Sequence, residues 1–377
     1  MVPVPVSIVR CADYSDVPAA VERALALLGG IHRFVRPGQR VLVKPNLLSD
    51  RAPELACTTH PEVARAVVRL VRAAGAIPVV GDSPSNVTKV ERVWEKTGFR
   101  AMCDEERVPL LSLEKAGSES FSVDGIRFHV AKPVLDADVI ISVPKVKTHV
   151  LTVLTAAVKN MYGIVPGFQK TTFHKLYPRP AQFGRALAAI YSRVAPALAV
   201  ADAVVGMDGD GPSGGAPTAL GFVAASGDGV ALDLALCQLL GIDPRVVPYF
   251  APLRALGVGV PDTGDVELVG DPVSALALPA FRTPSTLKFR LLPSALVRLV
   301  QPLFWIRPRM TDACIRCGQC VKACPADALR LPPESKPVLS PRKCVECCCC
   351  HEVCPVKAVR MTPSPIARLV YGRSVSG

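Results

Sequence analysis

Ten of the fourteen cysteines lie close together near the end of the chain. They form two runs, CIRCGQCVKACP from Cys314 and CVECCCCHEVCP from Cys344, and each run has the spacing C-x2-C-x2-C-x3-C-P. Thiolates at this density bind soft metals, whereas disulfides are rare in a reducing compartment. The two runs therefore predict a metal centre built on an internal repeat.

The spacing within each run indicates 4Fe–4S clusters of the bacterial ferredoxin type. The first three thiolates of a run hold one cluster, and the fourth cysteine, on the next helical turn, serves the other cluster. The predicted ligands are Cys314, Cys317, Cys320 and Cys354 for cluster 1, and Cys344, Cys347, Cys350 and Cys324 for cluster 2. Structural zinc is the alternative, but a doubled run with both prolines argues against it.

Cys348 and Cys349 are left over by this assignment, because they align with Gly318 and Gln319 of the first run. They either pack beside the second cluster or take part in redox chemistry or cluster exchange. The other four cysteines are scattered, and we expect them to be small buried apolar residues. These four are Cys11, Cys57, Cys103 and Cys237.

Positive charge is concentrated in the same part of the chain. Residues 281–377 contain 16 Lys and Arg against 5 Asp and Glu, so they carry +11 of the formal net charge of +12. Two oxidised clusters with their thiolates would offset about four of these charges. No helix-turn-helix pattern or basic surface interleaved with aromatic residues accompanies the charge, which argues against a nucleic-acid partner.

The segment 281–310 has six basic residues, no acidic residue, and leucines at helical spacing. It is either a plain linker or an amphipathic surface, over 285–306, that docks on an acidic partner or a membrane surface. The chain shows no N-terminal secretory signal and no apolar run of about 18 residues. We therefore expect a cytoplasmic protein, either free or peripheral to the membrane.

Residues 1–280 alternate apolar strands with amphipathic helices. RVLVKPN and IPVVGDS each lead from an apolar strand into polar residues, and TTHPEVARAVVRLVRAAGA has the cap, early proline and terminal glycine of a helix. VLTVLTAAVKNMYG, residues 150–163, is predicted to be another helix. This alternation predicts a doubly wound, mostly parallel α/β sheet, in which ligand residues collect at the carboxyl ends of the strands.

The predicted organisation has four parts. These are an α/β domain over 1–280, the basic amphipathic linker over 281–310, a small α+β two-cluster ferredoxin-like domain over 311–362 and a tail over 363–377. The pattern G-x-G-x-x-G at 209–214 is followed by a strand pattern and not by a helix, so we interpret it as a turn. No nucleotide cofactor is indicated.

Six short motifs of the first 280 residues, taken as a set, resemble the iron–sulfur proteins of the domain-of-unknown-function 362 family. They are KPNLL at 44–48, SVPKVKTH at 142–149, AAVKNMYG at 156–163, GFQKTTFH at 167–174, VADAVVGMDGDGP at 200–212 and SGDGVALD at 226–233. Members of this family often end in paired cysteine runs with the pattern C-C-H-E-x-C-P, which residues 349–355 match. The resemblance implies an α/β domain fused to an electron-transfer module and implies no particular reaction. One departure is Cys348, since similar sequences often carry an aromatic residue there.

Lysine, histidine and asparagine side chains are frequent in these motifs. Lysine binds carboxylates and phosphates, and buried lysine or histidine can transfer protons near neutral pH. The candidate catalytic residues are Lys145, Lys147, His149 and His174. The candidate substrate-binding residues are Lys44, Asn46, Lys159, Asn160 and Lys170. A third set, which either binds a divalent cation or orients the lysines, is Asp82, Asp202, Asp208 and Asp228.

Three functions fit these residues. The first is an oxidoreductase that takes electrons from a donor protein, passes them through two 4Fe–4S clusters, and delivers them to an anionic organic substrate in the α/β domain. The second is an electron-transfer or cluster-delivery protein whose α/β domain binds a partner. The third is a non-redox enzyme with structural clusters. The density of charged residues in the α/β motifs favours the first.

Overall fold

The computed structural model describes residues 2–84, 89–114, 116–167, 169–284 and 305–365. Most of the amphipathic surface predicted over 285–306 therefore lies outside the described residues. Within the described ranges, no helix is both long enough and apolar enough to cross a bilayer.

The larger domain is built on strands that are mostly short and deeply buried. Its described strands are β1 (Val4–Arg10), β2 (Arg40–Pro45), β3 (Ile77–Asp82), β4 (Leu110–Ser112), β5 (Ser118–Val123), β6 (Ile126–Ala131), β7 (Val139–Val143), β8 (Lys145–His149), β9 (Val153–Thr155), β10 (Leu198–Asp208), β11 (Ala216–Ser226) and β12 (Val266–Gly270). Strands β5 and β6 form a separate antiparallel hairpin, and the others form one ten-stranded sheet.

The sheet is mixed but mostly parallel. Its main order is β12-β1-β11-β10-β7-β2-β3-β4, with β8 paired to β10 and β9 paired to β8. Strands β10, β7, β2, β3 and β4 run parallel, whereas β11 is antiparallel to both of its neighbours. The predicted α/β class is thus confirmed, and the carboxyl ends of β2, β3 and β7 meet at one edge of the sheet.

Helices cover both faces of the sheet. The described helices of this domain are α1 (Val17–Ala26), α2 (Pro61–Ala73), α3 (Val90–Lys96), α4 (Phe99–Glu105), α5 (Lys132–Leu135), α6 (Ala157–Asn160), α7 (Gln169–Leu176), α8 (Pro180–Arg193), α9 (Gly229–Leu239) and α10 (Phe250–Ala255). Helices α1, α2 and α4 bury Val17, Val63 and Phe99 in one apolar core, and α8 and α9 bury Phe183 and Val230 in the other. Because helices cover both faces of the sheet, its central strands are buried on both sides, which explains the continuous apolar runs in the sequence.

The predicted helix over residues 150–163 is wrong in its first half. Residues Val153–Thr155 form β9, which pairs antiparallel with β8. Helix is limited to α6, followed by a 3-10 turn at Met161–Ile164.

One neighbouring and one distant side chain explain this difference, because they satisfy backbone groups that a helix would otherwise pair internally. The Nδ1 atom of His149 accepts hydrogen bonds from the N–H groups of Leu151 and Thr152, at 3.0 and 3.3 Å. The carboxylate of Asp233 accepts the first two N–H groups of α6, at 2.7 and 3.1 Å. A local side-chain hydrogen bond and a tertiary contact therefore override the helical pattern.

The small C-terminal domain contains two antiparallel pairs of strands and two short helices. These elements are β13 (Ile306–Met310), α11 (Gln319–Lys322), β14 (Leu329–Arg330), β15 (Val338–Leu339), α12 (Cys349–Glu352) and β16 (Val359–Pro363). Strand β13 pairs with β16, and β14 pairs with β15. The β13–β16 pair therefore includes residues 306–310, which the sequence analysis assigned to the linker. It also includes residue 363, which the sequence analysis assigned to the tail.

Candidate functional site

Two cavities in the C-terminal domain are each lined by four of the predicted ligand cysteines. The first cavity is lined by Cys314, Cys317, Cys320 and Cys354. The second is lined by Cys324, Cys344, Cys347 and Cys350. Each set takes three cysteines from one run and one from the other, because α11 packs against α12 and brings the fourth cysteine of each run to the opposite cavity.

The cysteines of both cavities suit thiolate ligands. The N–H of Ala328 donates to Cys324 Sγ at 3.2 Å, and the N–H of Ala358 donates to Cys354 Sγ at 3.1 Å. Hydrogen bonds of this kind stabilise the charged form of sulfur and tune cluster potentials. Burial, reinforced by the neighbouring cysteines, raises the pKa of Cys320 to about 11. A metal would therefore be needed to hold such a thiol as a thiolate, and the residues present fit a 4Fe–4S cluster.

The two surplus cysteines differ in position. Cys348 also lines the second cavity and has the left-handed φ of +64°. Its equivalent in the first run is Gly318, with a φ of +71°. Cys349 is the first residue of α12 and is buried.

A buried ion pair joins the ends of β2 and β3. The Nζ of Lys44 lies 2.7 Å from Asp82 Oδ1, and neither side chain is more than 5% exposed. Lys44 Nζ also donates to the carbonyl of Pro45 at 3.0 Å and to Asn160 Oδ1 at 3.2 Å. Burial lowers the pKa of Lys44, and the charge of Asp82 opposes that change. Asp82 is therefore the charged partner of Lys44.

Asn46 connects this pair to a second buried lysine. Its Nδ2 donates to Asn160 Oδ1 at 3.2 Å, and its Oδ1 accepts from Lys147 Nζ at 2.8 Å. Lys147 Nζ also donates to the carbonyl of Cys57. Lys147 is 1% exposed, whereas Asn46 is partly exposed. We call this set the lysine network: Lys44, Asn46, Asn160 and Lys147.

Lys145 lies two residues before Lys147 on β8 and is fully buried. Its Nζ is 2.8 Å from Asp202 Oδ2 and 2.8 Å from the hydroxyl of Tyr14. The ring of His60 stacks on that of Tyr14, with centroids 3.6 Å apart, and the N–H of His60 donates to Asp202 at 2.8 Å. Burial lowers the pKa of Lys145, against the opposing charge of Asp202. Lys145 thus lies beneath a Tyr–His stack and not in an open cleft.

Lys170 forms a further charged group beside Lys44. Its Nζ lies 2.8 Å from Glu114 Oε1, and it donates to the carbonyls of Ser83 and Pro84 at 2.7 and 2.8 Å. Burial lowers the pKa of Lys170, and Glu114 opposes that change. The Lys170 side chain retains 12% exposure, so it is more accessible than Lys44.

Gly163 covers the Lys44–Asp82 pair. A Cβ atom at this position would lie 2.5 Å from Asp82 Oδ1 and 2.7 Å from Lys44 Nζ. Because Gly163 is itself partly exposed, the ion pair lies directly beneath the surface.

Three other predicted residues occupy different surroundings. His149 is fully buried in the β8–β9 turn described above. The ring of His174 stacks on Phe183 at 4.6 Å between centroids. Lys159 Nζ lies over the ring of Tyr162, 5.8 Å from its centroid.

Two of the four predicted aspartates serve the scaffold. Asp208 makes a bidentate ion pair with Arg282, at 2.7 and 2.8 Å. Asp228 caps α9 by accepting the N–H of Val230 at 2.7 Å. Across the described ranges, no group of three or more His, Cys, Asp or Glu side chains is arranged to hold a single metal ion.

Arg51 links the α/β domain to the first cysteine cavity. This side chain is 7% exposed. Its guanidinium donates to the carbonyl of Ser213 at 2.7 Å and to the carbonyl of Cys354, and it lies 3.8 Å from Cys57 Sγ. Because the carbonyl of Cys57 accepts from Lys147, a short chain of contacts joins a predicted cluster ligand to the lysine network.

The turn at 209–214, between β10 and β11, supports the same interface. His351 lies between two carbonyl oxygens, with Nε2 3.0 Å from that of Asp210 and Nδ1 2.7 Å from that of Val359. A Cβ atom on Gly214 would lie 2.5 Å from the His351 ring, so glycine allows this approach. The G-x-G-x-x-G pattern is therefore a turn, as predicted, and it receives the C-terminal domain.

Sequence reasoning missed several residues of this region. The main ones are Tyr14, Arg51, Cys57, His60 and Glu114. Arg51 and Cys57 follow β2 in the same polar loop as Asn46. Their position after the carboxyl end of a strand could have identified them as candidate site residues. Tyr14 reaches Asp202 across 188 residues of sequence, and no local pattern indicates such a contact.

The fold and the cysteine sites define an iron–sulfur protein in which an α/β domain carries a 4Fe–4S-binding domain. Sequence comparison supports both parts: residues 308–330 match the 4Fe-4S binding domain family, and residues 41–238 match the family described as "Domain of unknown function (DUF362)". The chain belongs to the DUF362 family.

The proteins similar to this chain include a thylakoid-associated relative and a solved racemase structure. The thylakoid-associated protein sll1697 of Synechocystis sp. is 36% identical over 258 residues, which cover 67% of this chain and 79% of that protein. The lactate racemase apoprotein from Thermoanaerobacterium thermosaccharolyticum aligns with a TM-score of 0.43 and 11% identity. That alignment covers 64% of this chain and 58% of the racemase chain.

Proposed function

We propose that this protein is an iron–sulfur oxidoreductase that passes electrons through two 4Fe–4S clusters to an anionic organic acceptor at the edge of the α/β sheet. One observation carries the proposal. Arg51 binds the carbonyl of the predicted ligand Cys354 and contacts Cys57, whose carbonyl holds Lys147. The cysteine domain is thus joined to the buried cations by direct contacts.

The expected reaction is a two-electron reduction. Each 4Fe–4S cluster, when bound, supplies one electron at a time, so two reduced clusters hold the two electrons needed to saturate one C=C or C=O bond. Two protons must accompany these electrons. The electrons come from an external one-electron donor protein of low potential.

The proposed roles of the residues follow their exposure. The partly exposed groups Asn46 and Lys170 would contact the anion, and the buried Lys44 and Lys147 would supply positive charge behind them. Burial lowers the pKa of Lys44, which brings its ammonium closer to proton-transfer range. Lys145 is assigned a positioning role, since it is enclosed by Tyr14 and Asp202.

A single-turnover experiment tests this proposal. The anaerobic protein is reduced with dithionite, freed of excess reductant, and mixed with a panel of α,β-unsaturated and 2-oxo carboxylates while the visible absorbance of the clusters is followed. We expect at least one carboxylate to reoxidise the wild-type protein, and we expect Lys147→Met to slow this step about 100-fold or more, because it removes a buried positive charge behind the anion. Lys132→Met, which alters an exposed lysine on α5, is the matched control and should react as the wild type does.

The proposal fails if no carboxylate reoxidises the clusters faster than buffer does. It also fails if Lys147→Met and Lys132→Met behave alike. Turnover of a carboxylate by protein that lacks iron would instead support the non-redox enzyme.

A second candidate is an electron carrier that docks at a membrane surface through the basic segment 285–306. The burial of Lys44, Lys145 and Lys147 favours it, because these side chains offer little surface to a free substrate. The Synechocystis relative is named as a thylakoid-associated protein, which also supports a peripheral membrane location.

Vesicle sedimentation tests this second candidate. Arg290→Glu/Arg298→Glu should weaken binding to vesicles that contain anionic lipid, whereas Arg245→Glu, an exposed change in the α/β domain, should not. Raising salt should shrink the difference, because exposed charges are screened over about 8 Å at physiological ionic strength. Equal sedimentation of all three proteins would contradict membrane docking.

A further inference from the structure

We propose that cluster 1, held by Cys314, Cys317, Cys320 and Cys354, has a higher reduction potential than cluster 2, so that electrons collect at the cluster beside the lysine network. Three charged residues would set the difference: Arg316, Glu346 and Arg51. This inference rests on the two-cluster part of the proposed function. It does not require that an anionic substrate exist.

The two cysteine runs carry opposite charges at one equivalent position. Arg316 lies between the first two cysteines of its run, and Glu346 lies between the first two cysteines of the other. Their backbones match, with φ values of +57° and +56°. The repeat therefore places a cation between two ligands of the first cavity and an anion between two ligands of the second, on nearly the same local backbone.

The groups bonded to Arg316 and Glu346 leave the difference between their charges in place. Glu346 lines the second cavity, and Arg307 offsets its charge only in part, with its Nε 3.7 Å from the carboxylate. Arg316 donates to the neutral carbonyl of Ser335 at 3.1 Å. Asp312, the carboxylate that precedes the first run, is paired with Lys336. Arg316 is thus bonded to a neutral group, whereas Glu346 faces the second cavity with a partial counter-charge.

Arg51 places a second cation beside a ligand residue of the first cavity. Its guanidinium donates to the carbonyl of Cys354, whose Sγ is one of the four ligands assigned to that cavity. Arg51 is 7% exposed, whereas Arg316 is exposed. A buried charge is screened much less than an exposed one, so we expect Arg51 to have the larger effect.

The direction of the effect follows from electrostatics. Reduction adds one negative charge to a cluster, and a nearby cation stabilises the reduced state relative to the oxidised state. Cations therefore raise the potential and carboxylates lower it. An electron that a one-electron donor delivers to either cluster would settle on the cluster held by Cys354, next to Arg51 and the lysine network.

A potentiometric titration followed by EPR tests this inference on the intact protein. We expect two one-electron couples, with the ratio of reduced to oxidised cluster differing at least tenfold between them, which corresponds to about 59 mV. Arg316→Gln should lower only the higher couple. Glu346→Gln should raise only the lower couple, and thereby bring the two together.

The same titration of Arg51 variants separates charge from docking. Arg51→Gln should lower the higher couple by more than Arg316→Gln does, whereas Arg51→Lys should restore most of that loss. Lys132→Gln removes one exposed charge far along the chain, on α5, and should leave both couples unchanged. If Arg51→Gln fails to fold, the Arg316 and Glu346 variants still decide the question.

The inference is overturned if the two couples coincide, or if Arg316→Gln lowers the lower couple. None of these titrations uses a carboxylate acceptor. A protein that shows the expected couples but reduces no carboxylate would contradict the proposed oxidoreductase and leave the ordering of the clusters intact.

Discussion

The cysteine domain and the lysine network present their chemistry in opposite ways. Eight predicted ligands of the cysteine domain lie within about forty residues, and their spacing alone assigns each of them to a cavity. The lysine network gathers Lys44, Asn46, Lys147 and Asn160 from positions more than a hundred residues apart. A site built on a local repeat can therefore be recognised from the sequence. A site whose residues are brought together by a sheet can be recognised only from the three-dimensional structure.

The largest expected effect concerns the second cavity, where the spacing of the cysteines predicts which of them are ligands. Cys347→Ser should lower the iron content of anaerobically purified protein from about eight to about four per chain, because it removes one ligand of one cluster. Cys348→Ser and Cys349→Ser should both keep about eight. Iron and sulfide analysis with low-temperature EPR measures this, and a loss of iron confined to Cys349→Ser would show that the assigned order is wrong.

In the α/β domain the largest effect is expected at the Lys145–Asp202 pair. Lys145→Met should reduce the free energy of unfolding by about 3–5 kcal/mol, since it leaves the carboxylate of Asp202 buried without its cation. The double variant Lys145→Met/Asp202→Leu should recover much of that loss. Chemical denaturation measures both, with Lys132→Met as a control expected to lie within about 0.5 kcal/mol of the wild type.

A loss of similar size in Lys132→Met would contradict this interpretation of the pair. It would also be contradicted if the free energy of unfolding of Lys145→Met/Asp202→Leu were lower than that of Lys145→Met.

A smaller effect is expected where Gly163 covers Lys44 and Asp82. Gly163→Ala should cost about 1–3 kcal/mol, because its Cβ would lie 2.5 Å from Asp82 Oδ1 and force the ion pair to shift. Gly264→Ala is the matched control: it is exposed, and no atom lies within 4 Å of the added Cβ. Equal stability of the two variants would show that the ion pair moves at no cost.

These contacts also show how far the sequence could go. The alternation of strands and helices placed Lys44 and Asp82 at the carboxyl ends of apolar strands, where polar residues collect in a parallel sheet. The sequence could not show that Lys145 would be covered by Tyr14 and His60, because that depends on how α2 packs. It also placed His149 in the site, although the structure uses its Nδ1 to close a turn.

The C-terminal domain shows the same limit at its edges. The cysteine spacing predicted the four residues lining each cavity, but not β13, which has little local signal and forms only by pairing with β16. Arg51 was missed for a related reason, since its partners Ser213 and Cys354 lie far away in the chain.

The smallest predicted effect concerns the pH dependence of Glu114. Burial opposes its ionisation, but Lys170 outweighs that effect and holds the pKa of Glu114 below 4.5, the ordinary value. The ionised carboxylate therefore stabilises the fold above pH 4.5, and this contribution is lost as the pH falls below that value. Glu114→Gln should be less stable than the wild type by about 1 kcal/mol at pH 7, with the difference narrowing only as the pH falls below 4.5. A difference that does not change with pH would contradict the Lys170–Glu114 assignment.

The central claim is that the two regions work as one redox unit, and parallel binding and reoxidation measurements on complementary variants test it most directly. With a carboxylate that reoxidises the wild-type protein, Cys317→Ser should bind the carboxylate normally by calorimetry but lose electron delivery. Lys147→Met should keep both clusters reducible by dithionite but lose binding or turnover. If Cys317→Ser turns over the carboxylate as fast as the wild type, the clusters are not part of the reaction and the account is contradicted.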